Sequence, residues 1–152
     1  MSTPSEALES AEAAAYEYML ELLDGVDGNN AFLGGPPLPG VYNAWGFWFS
    51  GGPEPELSWG NSSYQGASWR MEAHLSGLYA ERANARAVMG SLMAGLPKGK
   101  NHGDTPPAHV QTLRLALMPT LEREGFIPDG TEKVAIGWRV VALMDVVFDV
   151  TA

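Results

Sequence analysis

Leu8, Ala11, Ala15, Met19, Leu22, Leu23 and Val26 recur at three- and four-residue spacing and predict an amphipathic helix over residues 5–24. Ser5 stands at the N-cap position, and Glu6, Glu9 and Glu12 suit the positive end of the helix dipole. Glu6, Glu17, Glu21 and Asp24 fall on the opposite side, and Asp24-Gly25 and Asp27-Gly28 supply the stop. Over 66–80 the period changes to two. Trp69, Met71, Ala73, Leu75, Gly77 and Tyr79 alternate with Arg70, Glu72, His74 and Ser76, the pattern of a strand with one buried face. A helical period returns over 82–96 with Ala85, Val88, Met89, Leu92, Met93 and Leu96. Arg82 and Arg86, one turn apart near its start, oppose the helix dipole, which a charged partner would offset.

Residues 110–118 alternate again, and Pro119 confines that strand to an edge, an end or a bulge. Asp129-Gly130 predicts a tight turn into the longest strand, 133–150. Val134, Ile136, Trp138, Val140, Ala142, Met144, Val146, Phe148 and Val150 share one face of it. The other face begins polar with Lys133 and Arg139 and becomes Val141, Leu143, Asp145, Val147 and Asp149. A strand apolar on both sides is covered on both sides. With two helices in the pattern, a neighbouring subunit is the expected second cover, so Val141, Leu143 and Val147 are interface candidates. Arg82 and Arg86 join them as ion-pair donors across a subunit boundary.

Residues 34–68 hold thirteen glycines and prolines among 35 positions, interleaved with Tyr42, Trp45, Phe47, Trp48, Phe49, Trp59 and Tyr64. That density opposes a helix. Ala44–Ser50 reads as an aromatic strand ended by Gly51-Gly52-Pro53, followed by a long loop over 51–63; a second polar loop covers 97–109. No internal repeat or domain boundary appears. The expected fold is one α+β domain, an antiparallel sheet with two helices packed on it. Its expected element order is helix, strand, strand, helix, strand, strand.

Charge narrows the function classes. The chain has 152 residues, no cysteine and a formal charge of −9. This length supports one real hydrophobic core. Seven of the eighteen acids lie in residues 1–33, where there is no base, so the acidity belongs mostly to the N-terminal helix. Such a balance opposes a phosphate-gripping surface and a basic membrane-surface helix. No segment approaches the roughly 18 apolar residues of a membrane span. The N-terminus also lacks a secretory pattern, which gives folding in the cytoplasm as the expectation and leaves the Asn61-Ser62-Ser63 sequon little weight.

Chemistry-bearing residues do not assemble into a motif. His74, His102 and His109 lack metal-ligand spacing, and without cysteine there is no thiolate site, so neither metal nor cofactor is expected. Asp145 and Asp149 share a strand face about 13 Å apart, too far to act on one bond. With His74 they are the only motive for a small enzyme. Lys98-Gly99-Lys100 lacks phosphate-loop spacing. The aromatics of 42–69 suit a carbohydrate- or small-ligand-binding platform, an oligomer interface, or simply core and loop anchoring, the last being favoured.

An acidic helix, an aromatic strand at Ala44–Ser50, a long loop, the alternating strand Trp69-Arg70-Met71-Glu72-Ala73-His74-Leu75, helix 82–96 and the closing strand 133–150 follow in order. This arrangement resembles the tail terminator proteins of long-tailed bacteriophages, the minor tail protein U type. It is a likeness of element order and length over nearly the whole chain, without a sharp motif, and the 34–63 and 97–109 loops are long for the pattern. The resemblance implies a virion structural protein that acts without catalysis. Such proteins form a homohexameric ring on the tail tube protein, stop tube polymerisation and present a surface to the head-tail connector protein. It also implies assembly in the host cytoplasm and DNA passing through the ring without specific binding. Tail tube and head-tail completion proteins belong to the same structural class.

Overall fold

A computed structural model describes residues 4–24, 30–38, 41–55, 68–96, 110–128 and 130–149. The elements are α1 (Pro4–Leu22), β1 (Asn30–Leu33), β2 (Ala44–Pro55), β3 (Ser68–Tyr79), α2 (Arg82–Gly95), β4 (Val110–Leu115), β5 (Thr120–Phe126) and β6 (Ala135–Asp149). The six strands among the described residues form one sheet in the order β1-β2-β3-β6-β4, with β5 also paired to β6. β1 runs parallel to β2, and every other pair is antiparallel.

This corrects the expected antiparallel sheet with order helix, strand, strand, helix, strand, strand. The sheet is mixed, and each half of the chain contributes three strands after its helix. β1 has only four residues and no alternation, so no period announces it. Its parallel register rests on backbone bonds to β2, from Asn30 N–H to Asn43 C=O (3.2 Å) and from Gly34 N–H to Phe47 C=O (2.9 Å). β5, Thr-Leu-Glu-Arg-Glu-Gly-Phe, is charged on an edge and lacks the apolar signature of a covered strand. β4 pairs Met144–Phe148 and β5 pairs Ala135–Val141, so the two follow one another along the same edge of β6. Pro119 sits in the break, and Ala116 N–H donates to Leu143 C=O at 2.9 Å across it.

Gly51-Gly52-Pro53 does not end β2, which corrects the loop expected from residue 51. Ser50 pairs Glu72 and Glu54 pairs Arg70, so β2 takes four steps where β3 takes two, and the Gly-Gly-Pro run is accommodated as a bulge. Gly51 adopts φ +87°, a conformation that a glycine supplies without strain. Residues 56–63, the rest of that expected loop, and the 97–109 loop lie outside the described residues.

Both helices cover one face of the sheet. Trp45, Phe47, Met71, Ala73, Leu75, Tyr79, Val140, Ala142, Met144, Val146 and Phe148 point to it and are buried. α1 and the residue after it seat a stripe of every fourth residue there, Ala7, Ala11, Ala15, Met19 and Leu23, and the alanines let the helix backbone approach closely. α2 contributes Ala85, Val88 and Leu92. Met93, expected on that apolar side, is 45% exposed. Val134 and Ile136, expected on the same face as Val140, are also exposed. Glu12 ties α1 to the sheet. Its carboxylate accepts the Phe49 N–H at 2.8 Å, just past the point where β1 stops pairing β2.

Candidate functional site

Among the described residues, the second face of the sheet carries no helix. Strand alternation puts Trp48 of β2, Arg70, Glu72, His74 and Ser76 of β3, Arg114 of β4, Glu122 and Glu124 of β5, and Arg139, Val141, Leu143, Asp145 and Val147 of β6 on it. Leu143 and Val147 are half-buried and Val141 is 37% exposed. These three interface candidates thus lie together, along the middle of a face that neither described helix covers.

Residues 34–38 fold over part of this face and make one wall of a groove of about 580 Å³. Pro36, Pro37 and Leu38 stand opposite Trp48, Arg139 and Val141. The segment can approach because position 46 has no side chain: a Cβ on Gly46 would lie 2.0 Å from the Gly35 carbonyl oxygen. In the groove Trp48 stacks on His74, ring centroids 5.4 Å apart and planes 11° from parallel. His74 was expected on a wet strand face; it is half-buried under Trp48, with Nε2 3.8 Å from Glu72. Arg139 donates from Nη1 to Ser76 Oγ at 2.7 Å and from Nε to the Glu124 carboxylate. At one end of the face Phe126 lies 5.1 Å from Tyr42, its ring filling the space that Gly137 leaves open.

Asp145, expected as a solvated or interface carboxylate, lies between two guanidinium groups. Arg70 Nη2 is 3.3 Å away and Arg114 Nε 3.9 Å away, reaching in from the strands on either side. Beside it a polar hollow of about 390 Å³ is bordered by Ser50, Gly51, Gly52 and Glu72. With Asp145 held by arginines and His74 stacked on an indole, these two residues do not form an acid-base pair. The side chain of Asp149 and the residues His102 and His109 lie outside the description.

Arg82 and Arg86 are elsewhere. Both are exposed on the helix-covered side, and the Arg82 guanidinium lies 5.0 Å above the Trp138 ring. The five interface candidates therefore divide between the two sides of the sheet. The expected aromatic platform divides as well. Trp45 and Phe47 are core, Phe49 packs against it, Tyr42 meets Phe126, and among the described residues only Trp48 of this set looks into the groove; Trp59 and Tyr64 lie outside the described residues.

The arginine contacts to Asp145 and Glu124 were missed in the sequence. Their signal is cross-strand register. Once Glu72 is set opposite Asp145 and Arg139 opposite Glu122, the neighbouring Arg70 and Glu124 fall on diagonals within reach of the longer side chains. No protein-family model and no curated protein matches the chain.

Proposed function

We propose that this chain is a structural subunit that associates with copies of itself into a ring. The reading extends to a tail terminator, a ring that caps a phage tail tube, stops its growth and joins the tail to the head. One observation carries it: β6 is apolar on both sides, yet the helices cover one, leaving Val141, Leu143 and Val147 on an open face. Partial exposure of an apolar stripe in mid-sheet is unfavourable in an isolated chain and is relieved by a second surface. On this reading the protein acts by assembly, with the tube protein and the head-tail connector as partners and DNA as passing cargo. Electron microscopy of the purified chain with and without tail tubes tests it. Single rings on tube ends support a terminator, long filaments a tube protein, and bare tubes with monomeric protein contradict the reading.

A second reading rests on the groove. Trp48, its stacked His74 and the hydrogen-bonding Ser76 and Arg139 suit a small cyclic ligand, with an apolar ring to pack on and polar groups to orient it. Intrinsic tryptophan fluorescence titrated with a glycan panel tests this; a flat response removes it.

A further inference from the structure

The two helices carry charges that their own dipoles disfavour. α1 ends with Glu17, Glu21 and Asp24, all exposed, and no base stands in its last turn. The carbonyl end of a helix is its negative pole, and Glu17 and Glu21, one turn apart, also repel each other. α2 begins with the opposite fault. Arg82 and Arg86 lie in its first two turns, no acid stands in the first turn, and the N-cap residue Glu81 makes no side-chain cap. Arg123 of β5 joins them, because it pairs with Trp138, over whose ring Arg82 lies. The patch holds three arginines against exposed Glu81, and among the described residues neither Arg86 nor Arg123 has an ion-pair partner.

These charges cannot satisfy one another within a chain. The Tyr18 hydroxyl donates to the Gly95 carbonyl at 3.1 Å, and Leu22 occupies the space where a Gly95 Cβ would stand. The acidic end of α1 thus sits at the C-terminal end of α2. Arg82 opens α2 about 20 Å away along its axis, beyond a Debye length of about 8 Å at physiological ionic strength.

We infer that the acidic end of α1 in one copy docks on the Arg82, Arg86 and Arg123 patch of a second copy. The inference rests on the self-association reading and names a contact within it. The occupant follows from charge complementarity: α1 presents Glu9, Glu17, Glu21 and Asp24 with no basic residue among them, and each partner supplies the countercharge the other's helix end lacks. Because the two surfaces are different and lie at opposite ends of the helix layer, the contact is head-to-tail, the kind from which rings are built.

Sedimentation of three variants tests the contact: Arg82→Glu with Arg86→Glu, Glu17→Lys with Glu21→Lys, and all four changes in one chain. Each pair places charge as the dipole favours, while Arg82→Glu gives up the contact over Trp138, so both double variants should melt within a few degrees of wild type, which separates lost docking from lost folding. Each double variant should associate at least tenfold more weakly than wild type. An equimolar mixture of the two, and the fourfold variant alone, should regain assembly, and rising salt should weaken wild-type association. Double variants that assemble as well as wild type, or a fourfold variant that stays dissociated, overturn this contact while self-association stands. A wild type that remains a single copy with and without tail tubes overturns the self-association reading and this contact with it.

Discussion

Glu12 sits among the residues of an acidic helix yet does a strand's work. β1 pairs β2 only as far as Phe47, and the next edge donor, the Phe49 N–H, is taken by the Glu12 carboxylate at 2.8 Å. An unsatisfied backbone donor at that partly buried edge is costly, so Glu12→Ala should lower stability by about 1–2 kcal/mol. Glu9→Ala, on the exposed side of the same helix, should change it by less than about 0.5 kcal/mol. Urea unfolding of the two variants checks the difference. Tyr79 sets a second residue-scale expectation. It is fully buried in the core, and desolvation of the phenolate raises its pKa well above the ordinary value of 10.0. The folded state therefore keeps the Tyr79 proton where the unfolded chain releases it. Stability is full below pH 10.0 and falls as pH rises from there towards the raised folded value. Tyr79→Phe should flatten that alkaline decline, measured as the difference between urea midpoints at neutral pH and above pH 10.0.

At the scale of elements, the segment 34–38 is held over the open face by what position 46 lacks. Gly46→Ala would bring a Cβ to 2.0 Å from the Gly35 carbonyl oxygen and 2.9 Å from the Pro36 Cα, both backbone atoms that cannot rotate away. The variant should lose about 1–3 kcal/mol and should change Trp48 emission as the groove wall lifts, both readable in one fluorescence-monitored melt. Nothing in the sequence marks this glycine off from its neighbours, since its role depends on a segment ten residues earlier crossing its strand. The elements with sustained period were legible: α1, β3, α2 and β6 stand where Ala11, Ala15 and Met19, the 69–79 alternation, Ala85, Val88 and Leu92, and the 140–148 run put them. β1 and β5 were not, for opposite physical reasons. A four-residue parallel strand is specified by backbone pairing rather than by its side chains, while an edge strand spends its outward positions on charge. The open face was half legible. Its apolar residues follow from β6 alone, but the Trp48–His74 stack and the arginine pairs depend on which strand neighbours which.

For the whole molecule, the distribution of uncovered surface matters more than any one site. The formal charge of −9 is concentrated on α1, while the open sheet face mixes Arg70, Arg114 and Arg139 with Glu72, Glu122, Glu124 and Asp145 around an apolar stripe. The acidic end of α1 and the arginine patch that complements it lie on the helix side of the sheet and the apolar stripe on the other, so a head-to-tail contact between helix ends leaves the stripe free to meet a further surface. Val141 separates the effects of folding and assembly. It is 37% exposed, so the carboxylate of Val141→Asp stays hydrated in the isolated chain, and monomer stability should change by less than about 1 kcal/mol. Once a second surface closes over it, the same carboxylate is desolvated opposite apolar atoms, at a cost of several kcal/mol, and rings should no longer form. Light scattering shows the contrast directly. Wild type should give one discrete multiple of the 16.3 kDa chain mass, because a heterologous contact that closes stops at a fixed number, whereas Val141→Asp should give the chain mass alone. A wild-type series of ever larger species would mean that the contact does not close and would favour a tube-like filament. A Val141→Asp variant that still forms the discrete species would remove the open face from the interface and leave the helix-end charges to hold the ring.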